Sequence, residues 1–346
     1  MTVASWQEIG SIQLLNKQVP LLKPGEVLVK VAASGICGTD LHICHGETPH
    51  ATPKVVIGHE FSGYVHSFHP ETKAYNLQVG DLVAIDPNMP CNQCTFCRNQ
   101  KYHLCPHLFC IGVTVDGGMS HYVAVPARAA MPIPKKTNVD GSSVAAVTPE
   151  VAALAEPLSC VVHAIDQGHI KTGDRVLVLG AGPIGLMTTA LASLSGAHVT
   201  VIEPNEMRRQ TAVQSFGAAE AVAPGVLPAV RGELGEGYDV VFECVGRPAT
   251  CAEAVRFAKA GGIVVWVGVT KVDDRVQVAP FEIYRKELTI TSTYTNPYGI
   301  ERAVNILAQG KVDWQALISH QFKLSEFSDA WEVFKAGTGL KVIIAP

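Results

Sequence analysis

VLVLGAGPIGLMTTALASLSGAHVTVIE, residues 176–203, decides the architecture of this 346-residue chain. An apolar run ends in a glycine turn, an apolar segment of helical length follows, and a second apolar run closes on an acid. Gly180, Gly182 and Gly185 stand in the G-x-G-x-x-G spacing of a dinucleotide-binding βαβ unit. Glu203 lies about 20 residues beyond them, where such a unit places the acid that accepts hydrogen bonds from ribose hydroxyls. The glycines have separate tasks: Gly180 permits the tight turn, Gly182 lets the backbone approach a pyrophosphate, and Gly185 lets the helix pack on its strand. Pro183 suits the first helical turn, where its missing N–H would have no partner, and the helix N-terminus then faces the phosphates. Ile184 in that turn and Arg208 beyond Glu203 complete the expected cofactor-binding set. The charge of Glu203 repels a 2′-phosphate and favours NAD, while Arg208 and Arg209 could serve that phosphate and keep NADP as the alternative.

Outward from this stretch the pattern continues as a βαβ series with a mainly parallel sheet. Helices are expected over 186–194, 207–216 and 249–260, and strands over 199–202, 219–223, 240–242 and 263–267. The chain before it has another character. Residues 25–35, 54–66, 79–85 and 119–125 read as short strands punctuated by Gly and Pro, which predicts a mostly β domain through about residue 135. Residues 143–168 are Ala-rich and helix-like. Beyond about 285 a strand over 287–293 and helices over 300–308 and 327–335 are expected.

Composition limits the functional classes. A chain of this length predicts two domains, and a net charge of −4 gives no reason to expect nucleic acid or an anionic membrane as partner. No basic-then-apolar leader and no apolar run of about 20 residues is visible, so a cytoplasmic location is expected. Ten cysteines in such a setting favour metal ligands and buried thiols over disulfides.

Cys91-x2-Cys94-x2-Cys97-x7-Cys105 is the clearest metal signal. Four thiolates on a short lobe close a tetrahedral zinc shell and leave no position for substrate, so this site is structural. The run also resembles an iron–sulfur pattern, but its last spacing is too long for the bacterial ferredoxin motif. Two further stretches carry ligand chemistry: Gly35-Ile-Cys37-Gly-Thr39-Asp-Leu-His42 and Gly58-His59-Glu60. Cysteine, histidine and carboxylate together leave zinc open to substrate, as catalysis requires. Adjacent residues on a regular strand point to opposite faces, so His59 and Glu60 can reach one ion only if the backbone bends, which Gly58 permits.

CGTDLH (37–42), GHE (58–60), the four-cysteine lobe, AEPLSC (155–160) and GAGPIG (180–185), in this order, resemble the zinc-dependent medium-chain alcohol dehydrogenases over almost the whole chain. AEPLSC and the ending FKAGTGLKVII resemble the polyol branch of that family, typified by sorbitol dehydrogenase. The resemblance implies an α/β protein with a GroES-like, mostly β catalytic domain over 1–150, to which 286–346 returns. A Rossmann domain with a doubly wound parallel sheet would occupy 151–285. It implies two zinc ions per chain, the catalytic one held by Cys37, His59 and Glu60, with Glu156 nearby as a ligand or through the metal-bound water. Charge counting favours the second role for Glu156, because another carboxylate would make the centre anionic and a weaker Lewis acid.

The implied reaction moves a hydride from a secondary alcohol of a polyol to NAD, with Thr39 and then His42 passing the hydroxyl proton outward. The substrate is a small alcohol, and the assembly a homotetramer or homodimer. Threonine or 2,3-butanediol oxidation is the alternative activity. Zinc-free enone reductases and structural members of the superfamily would lack the CGTDLH and GHE groups kept here. One departure stands out: polyol members carry an Arg in the stretch that here reads Thr291-Ser-Thr-Tyr-Thr-Asn-Pro297, where Tyr294 and Asn296 are the candidate replacements.

Overall fold

The computed structural model describes residues 1–73, 76–137, 142–227 and 236–346. The chain forms two units, Met1–Ser159 with Asn296–Pro346, and Cys160–Thr295.

The second unit is built on six parallel strands. Across the sheet they run Glu220–Val222, His198–Ile202, Arg175–Leu179, Tyr238–Glu243, Ala258–Trp266 and Thr289–Ser292. Numbered along the chain this is the order 3-2-1-4-5-6 of a doubly wound nucleotide-binding sheet. The central strands read as continuous apolar runs because helices cover both faces of a parallel sheet; Leu177, Val241 and Val264 are fully buried. Pro183–Leu194 and Glu206–Phe216 are helices, the latter capped by the Asn205 side chain and ended by Gly217 at φ +75°.

The helix expected over 249–260 stops at Phe257, and Ala258–Ala260 belong to the next strand. Gly261 at φ +73° and Gly262 are poor helix residues, and Ala258 pairs instead with Tyr238. The helix Pro280–Lys286 went unread, since its mixed composition shows no apolar stripe.

The first unit carries a seven-stranded sheet. Ile318–Lys323, Lys341–Ala345, Glu26–Gly35, Glu60–Phe68, Leu82–Ile85 and Ala130–Pro132 follow one another across it, and Tyr122–Pro126 also pairs with Glu26–Gly35. Thr2–Glu8 and Ser11–Asn16 form a separate antiparallel pair, as do Asn88–Met89 and Phe109–Cys110. Val29, Val31, Phe61 and Val83 centre one core, and Ile36, Ile57, Trp331 and Ile344 another.

Two expectations change here. Residues 54–59 are not strand, because Lys54 (φ 64°) and Gly58 (φ 95°) turn the backbone out of the extended region, and the strand begins at Glu60. The stretch 143–168 is not one helix. Ser143–Ala145 pairs with Lys135–Thr137, and after the Thr148-Pro149 start signal come the helices Pro149–Ala152 and Ala155–Gly168. The strand Lys341–Ala345 is buried on both faces through Ile344, so Val342–Ile344 read as an apolar run without alternation. Among the described residues no helix is long and apolar enough to cross a membrane.

Candidate metal centre and dinucleotide turn

Ligand atoms of Cys37, His59 and Glu60 lie within 4.8 Å of one another. Cys37 is the N-cap of the helix Gly38–Cys44, and its N–H donates to Asp40 Oδ2 at 2.9 Å, which fixes the start of that helix. His59 and Glu60 converge because Gly58 takes a left-handed conformation. A Cβ there would approach Ser34 Oγ to 2.8 Å and a Met119 side-chain carbon to 2.7 Å, so the bend is reserved for glycine.

The donor set fits zinc: one thiolate, one imidazole and one carboxylate, with His59 and Glu60 only 6% and 2% exposed. His59 Nδ1 and Asp40 Oδ1 face each other at 3.7 Å, both buried and neither in a hydrogen bond. A carboxylate behind a metal-binding imidazole is the usual outer partner of such a site. Burial pulls the basicity of His59 down, but the neighbouring Cys37 thiolate and Asp40 outweigh it and raise its pKa.

Glu156 stands in the first turn of the helix Ala155–Gly168 and is nearly buried. Burial pushes its pKa up to about 7; the His59 charge opposes the rise, and Glu60 and Asp86 add to it. It is not among the groups that close on one point with Cys37, His59 and Glu60. Thr39 and His42 lie three residues apart on one helix, hence on one face. Thr39 Oγ1 is 3.7 Å from Cys37 Sγ, and His42 Nδ1 is 2.7 Å from Glu47 Oε2.

Residues that escaped the sequence reading complete the surroundings. Lys341, buried in the strand Lys341–Ala345, places its Nζ 2.6 Å from Glu60 Oε2 and donates to the Ile36 carbonyl at 3.4 Å. A lysine inside an otherwise apolar run was the available signal. Asp86 and Asn88 were not singled out either. Asn296 is 3% exposed and accepts from Asn88 Nδ2 at 2.6 Å, whereas Tyr294 is half-exposed.

The cysteine lobe closes as the spacing predicts. Cys94 Sγ is 3.5 Å from Cys97 Sγ and 3.8 Å from Cys105 Sγ, and Cys91 Sγ is 3.9 Å from Cys97 Sγ. A tetrahedron with Zn–S bonds of about 2.3 Å has edges of about 3.8 Å, so the four sulfurs fit the ion. The Gln93 N–H foremost, with the Cys94 N–H and the Cys105 and Cys94 thiols, outweighs burial and lowers the Cys91 thiol to about 6. None of the ten cysteines is in a disulfide.

In the other unit Gly180 sits at φ 95° after the strand Arg175–Leu179, and Gly182 caps the helix Pro183–Leu194. A Cβ on Gly185 would strike the Gly180 carbonyl oxygen, while one on Gly182 would meet nothing within 4 Å. Close helix packing at Gly185 and open space at Gly182 are what a bound pyrophosphate requires. Ile184 follows Pro183 in the first turn, half-buried. Glu203 is 5% exposed; its Oε2 accepts from the Ala181 N–H at 2.8 Å and its Oε1 from the Asn205 N–H at 2.9 Å. The acid therefore braces the glycine turn itself. Arg208 opens the next helix, its N–H donating to the Asn205 side chain, and Arg209 donates to the carbonyls of Glu203 and Pro204.

Residues 23–135 match the alcohol dehydrogenase GroES-like domain family, and residues 183–309 match the zinc-binding dehydrogenase family. A zinc-binding dehydrogenase of Sinorhizobium meliloti, solved with NADP, is 36% identical, with a TM-score of 0.91 and coverage of 100% of this chain and 99% of its own. L-threonine 3-dehydrogenase of Thermococcus kodakarensis is 33% identical over 96% of this chain and 94% of its own length. Human sorbitol dehydrogenase is 31% identical over 97% and 93%. The chain belongs to the zinc-dependent medium-chain alcohol dehydrogenase family and is an oxidoreductase of that family.

Proposed function

We propose that this protein oxidises a secondary hydroxyl of a neutral polyol, with NAD as hydride acceptor. The observation that carries the reading is the convergence of Cys37, His59 and Glu60 in a buried setting, in a relative of human sorbitol dehydrogenase. These three residues would hold a zinc ion whose Lewis acidity lowers the pKa of a substrate hydroxyl. The four-cysteine lobe would hold a second ion that staples its loop. NAD, when bound, accepts the hydride that leaves the carbinol carbon.

The remaining work falls to side chains. Thr39 takes the hydroxyl proton and passes it toward His42, which releases it to solvent. Glu156 orients the substrate or a water at the open side of the centre. Gly180, Gly182, Ile184 and Gly185 cradle the pyrophosphate, and Glu203 favours a free ribose over a 2′-phosphate, with Arg208 beside the adenosine. Residues 1–150 and 286–346 would form the catalytic domain and 151–285 the coenzyme domain, in a cytoplasmic homodimer or homotetramer.

Two observations favour second readings. Kinship with a threonine dehydrogenase supports an amino-acid substrate, and the NADP-bound relative supports NADP. Among the described residues, the ammonium set against the centre's carboxylates is that of Lys341, which is committed to Glu60 and leaves no free ammonium there for a substrate carboxylate. Steady-state assays of polyols, threonine and 2,3-butanediol, each with NAD and NADP, test the reading. Turnover of polyols with NAD is expected; turnover of threonine alone would overturn it.

A further inference from the structure

We infer that Asp86 and Asn88, held in place by Asn296, form a hydrogen-bond-accepting subsite for a second hydroxyl of the substrate. The inference rests on the polyol reading and adds the residues that choose a polyhydric over a simple alcohol.

The orientation of the amides follows from the acceptor-only chemistry of Asp86 above its pKa. Asn296 turns its Nδ2 toward Asp86 Oδ1, at 3.4 Å, so its Oδ1 faces Asn88 and accepts from Asn88 Nδ2 at 2.6 Å. Asp86 Oδ1 also accepts from the Asn88 N–H at 3.0 Å. Two acceptors are left over, Asp86 Oδ2 and Asn88 Oδ1. Among the described residues nothing donates to either, and neither atom is sealed from solvent. Asp86 and Asn88 are half-buried, while Asn296 behind them is buried. Asn296 therefore anchors, and the open edge belongs to the other two.

The subsite adjoins the metal centre. Asn88 lies opposite Cys110 in the short strand pair, the Ile111 N–H donates to the Pro87 carbonyl at 2.9 Å, and a Cβ on the next residue, Gly112, would come 2.8 Å from the His59 backbone nitrogen. The anchoring segment is built for rigidity. Thr295 and Tyr298 flank Asn296 at φ 53° and 49°, conformations that persist in non-glycine residues only when their surroundings impose them. The Tyr298 ring meets Tyr102 edge-on at 4.1 Å between centroids, and a Cβ on Gly299 would come 2.7 Å from the Ser159 carbonyl oxygen. Two acceptors without a donor suit hydroxyl groups, which supply the missing protons; a carboxylate or phosphate would be repelled by Asp86.

The test compares kcat/KM for a neutral polyol with kcat/KM for a monohydric secondary alcohol such as 2-butanol, in the zinc-loaded wild type, Asn88→Ala and Asp86→Asn. Melting temperature and zinc content establish that each variant is folded and loaded. The polyol-to-butanol ratio is expected to fall about tenfold in Asn88→Ala, mostly through KM, as one lost hydrogen bond predicts, and to recover in part in Asn88→Ser. Equal losses on both alcohols in Asn88→Ala and Asp86→Asn would make the cluster merely structural and overturn the inference. A wild type that oxidises no polyol would instead overturn the parent reading.

Discussion

Lys341 Nζ stands 2.6 Å from Glu60 Oε2, and both side chains are buried. The lysine comes from near the C-terminus and the glutamate from the strand that starts at the metal-binding turn, so the last strand of the chain holds one of the centre's three groups. Burial pulls the Lys341 pKa down, but Glu60 and Cys37 outweigh it and raise it, so the ammonium persists. A divalent ion held by the three groups would share this carboxylate with the ammonium.

Removing the ammonium leaves Glu60 buried and charged. Lys341→Met is expected to lower the stability of the zinc-free protein by about 3 kcal/mol, the usual cost of breaking a buried pair from one side. With zinc bound the loss should shrink, because the ion neutralises Glu60. Urea unfolding with and without a chelator measures both values, and equal losses would contradict the arrangement.

Cys97 lies in the middle of the sulfur lobe, 2% exposed. Cys97→Ser is expected to remove one equivalent of zinc per chain and to destabilise the fold by about 2 kcal/mol or more. Coenzyme affinity should change little, since the glycine turn lies in the other unit. Unchanged zinc content by elemental analysis would refute a metal in the lobe.

Glu203 has two separable duties, bracing Ala181 and Asn205 and carrying charge. Glu203→Gln keeps an acceptor for the Ala181 N–H but drops the charge, whereas Glu203→Ala drops both. The Gln variant is expected to hold NAD within about threefold of the wild type and to gain affinity for NADP, and the Ala variant to lose about tenfold for NAD. Calorimetric titration with both coenzymes separates these outcomes; an unmoved preference in the Gln variant would show that Glu203 does not set it.

Asp86 introduces a pH dependence of stability. Burial raises its carboxyl to about 6, against which the Asn88 N–H and the Asn296 amide work. The folded protein thus holds this proton more tightly than the unfolded chain, whose Asp titrates near 4. Below about 4 both states are protonated and no penalty exists; above about 6 the penalty is complete. Stability should therefore fall as pH rises through that window in the wild type, relative to Asp86→Asn. Parallel stability curves for the two proteins would contradict the raised value.

Much of the coenzyme unit was legible because its determinants are local. Apolar runs mark strands buried on both faces, glycines stand at fixed spacing, and Asn205 and Gly217 bound their helix. The cysteine lobe was legible for the same reason. The candidate metal groups were legible as ligand types in two separate stretches, but Cys37 and His59 lie 22 residues apart, and their convergence on one ion was implied by resemblance rather than by a local pattern. Lys341, and the bond from Asn88 to Asn296 across 208 positions, depend on register and packing that no local period encodes. The strand–helix errors at 143–145 and 258–260 arise where strand pairing, with 135–137 in one case and with Tyr238 in the other, overrides an Ala-rich local preference.

If Cys37, His59 and Glu60 hold the reactive zinc, loss of the imidazole empties that site alone. The most direct test is His59→Ala, with zinc per chain and NADH formation from a polyol read on the same sample. One of two zinc equivalents is expected to disappear, with the cysteine-lobe ion retained and turnover lost while the fold remains intact. Full zinc content, or polyol oxidation persisting with only the lobe occupied, would contradict that assignment.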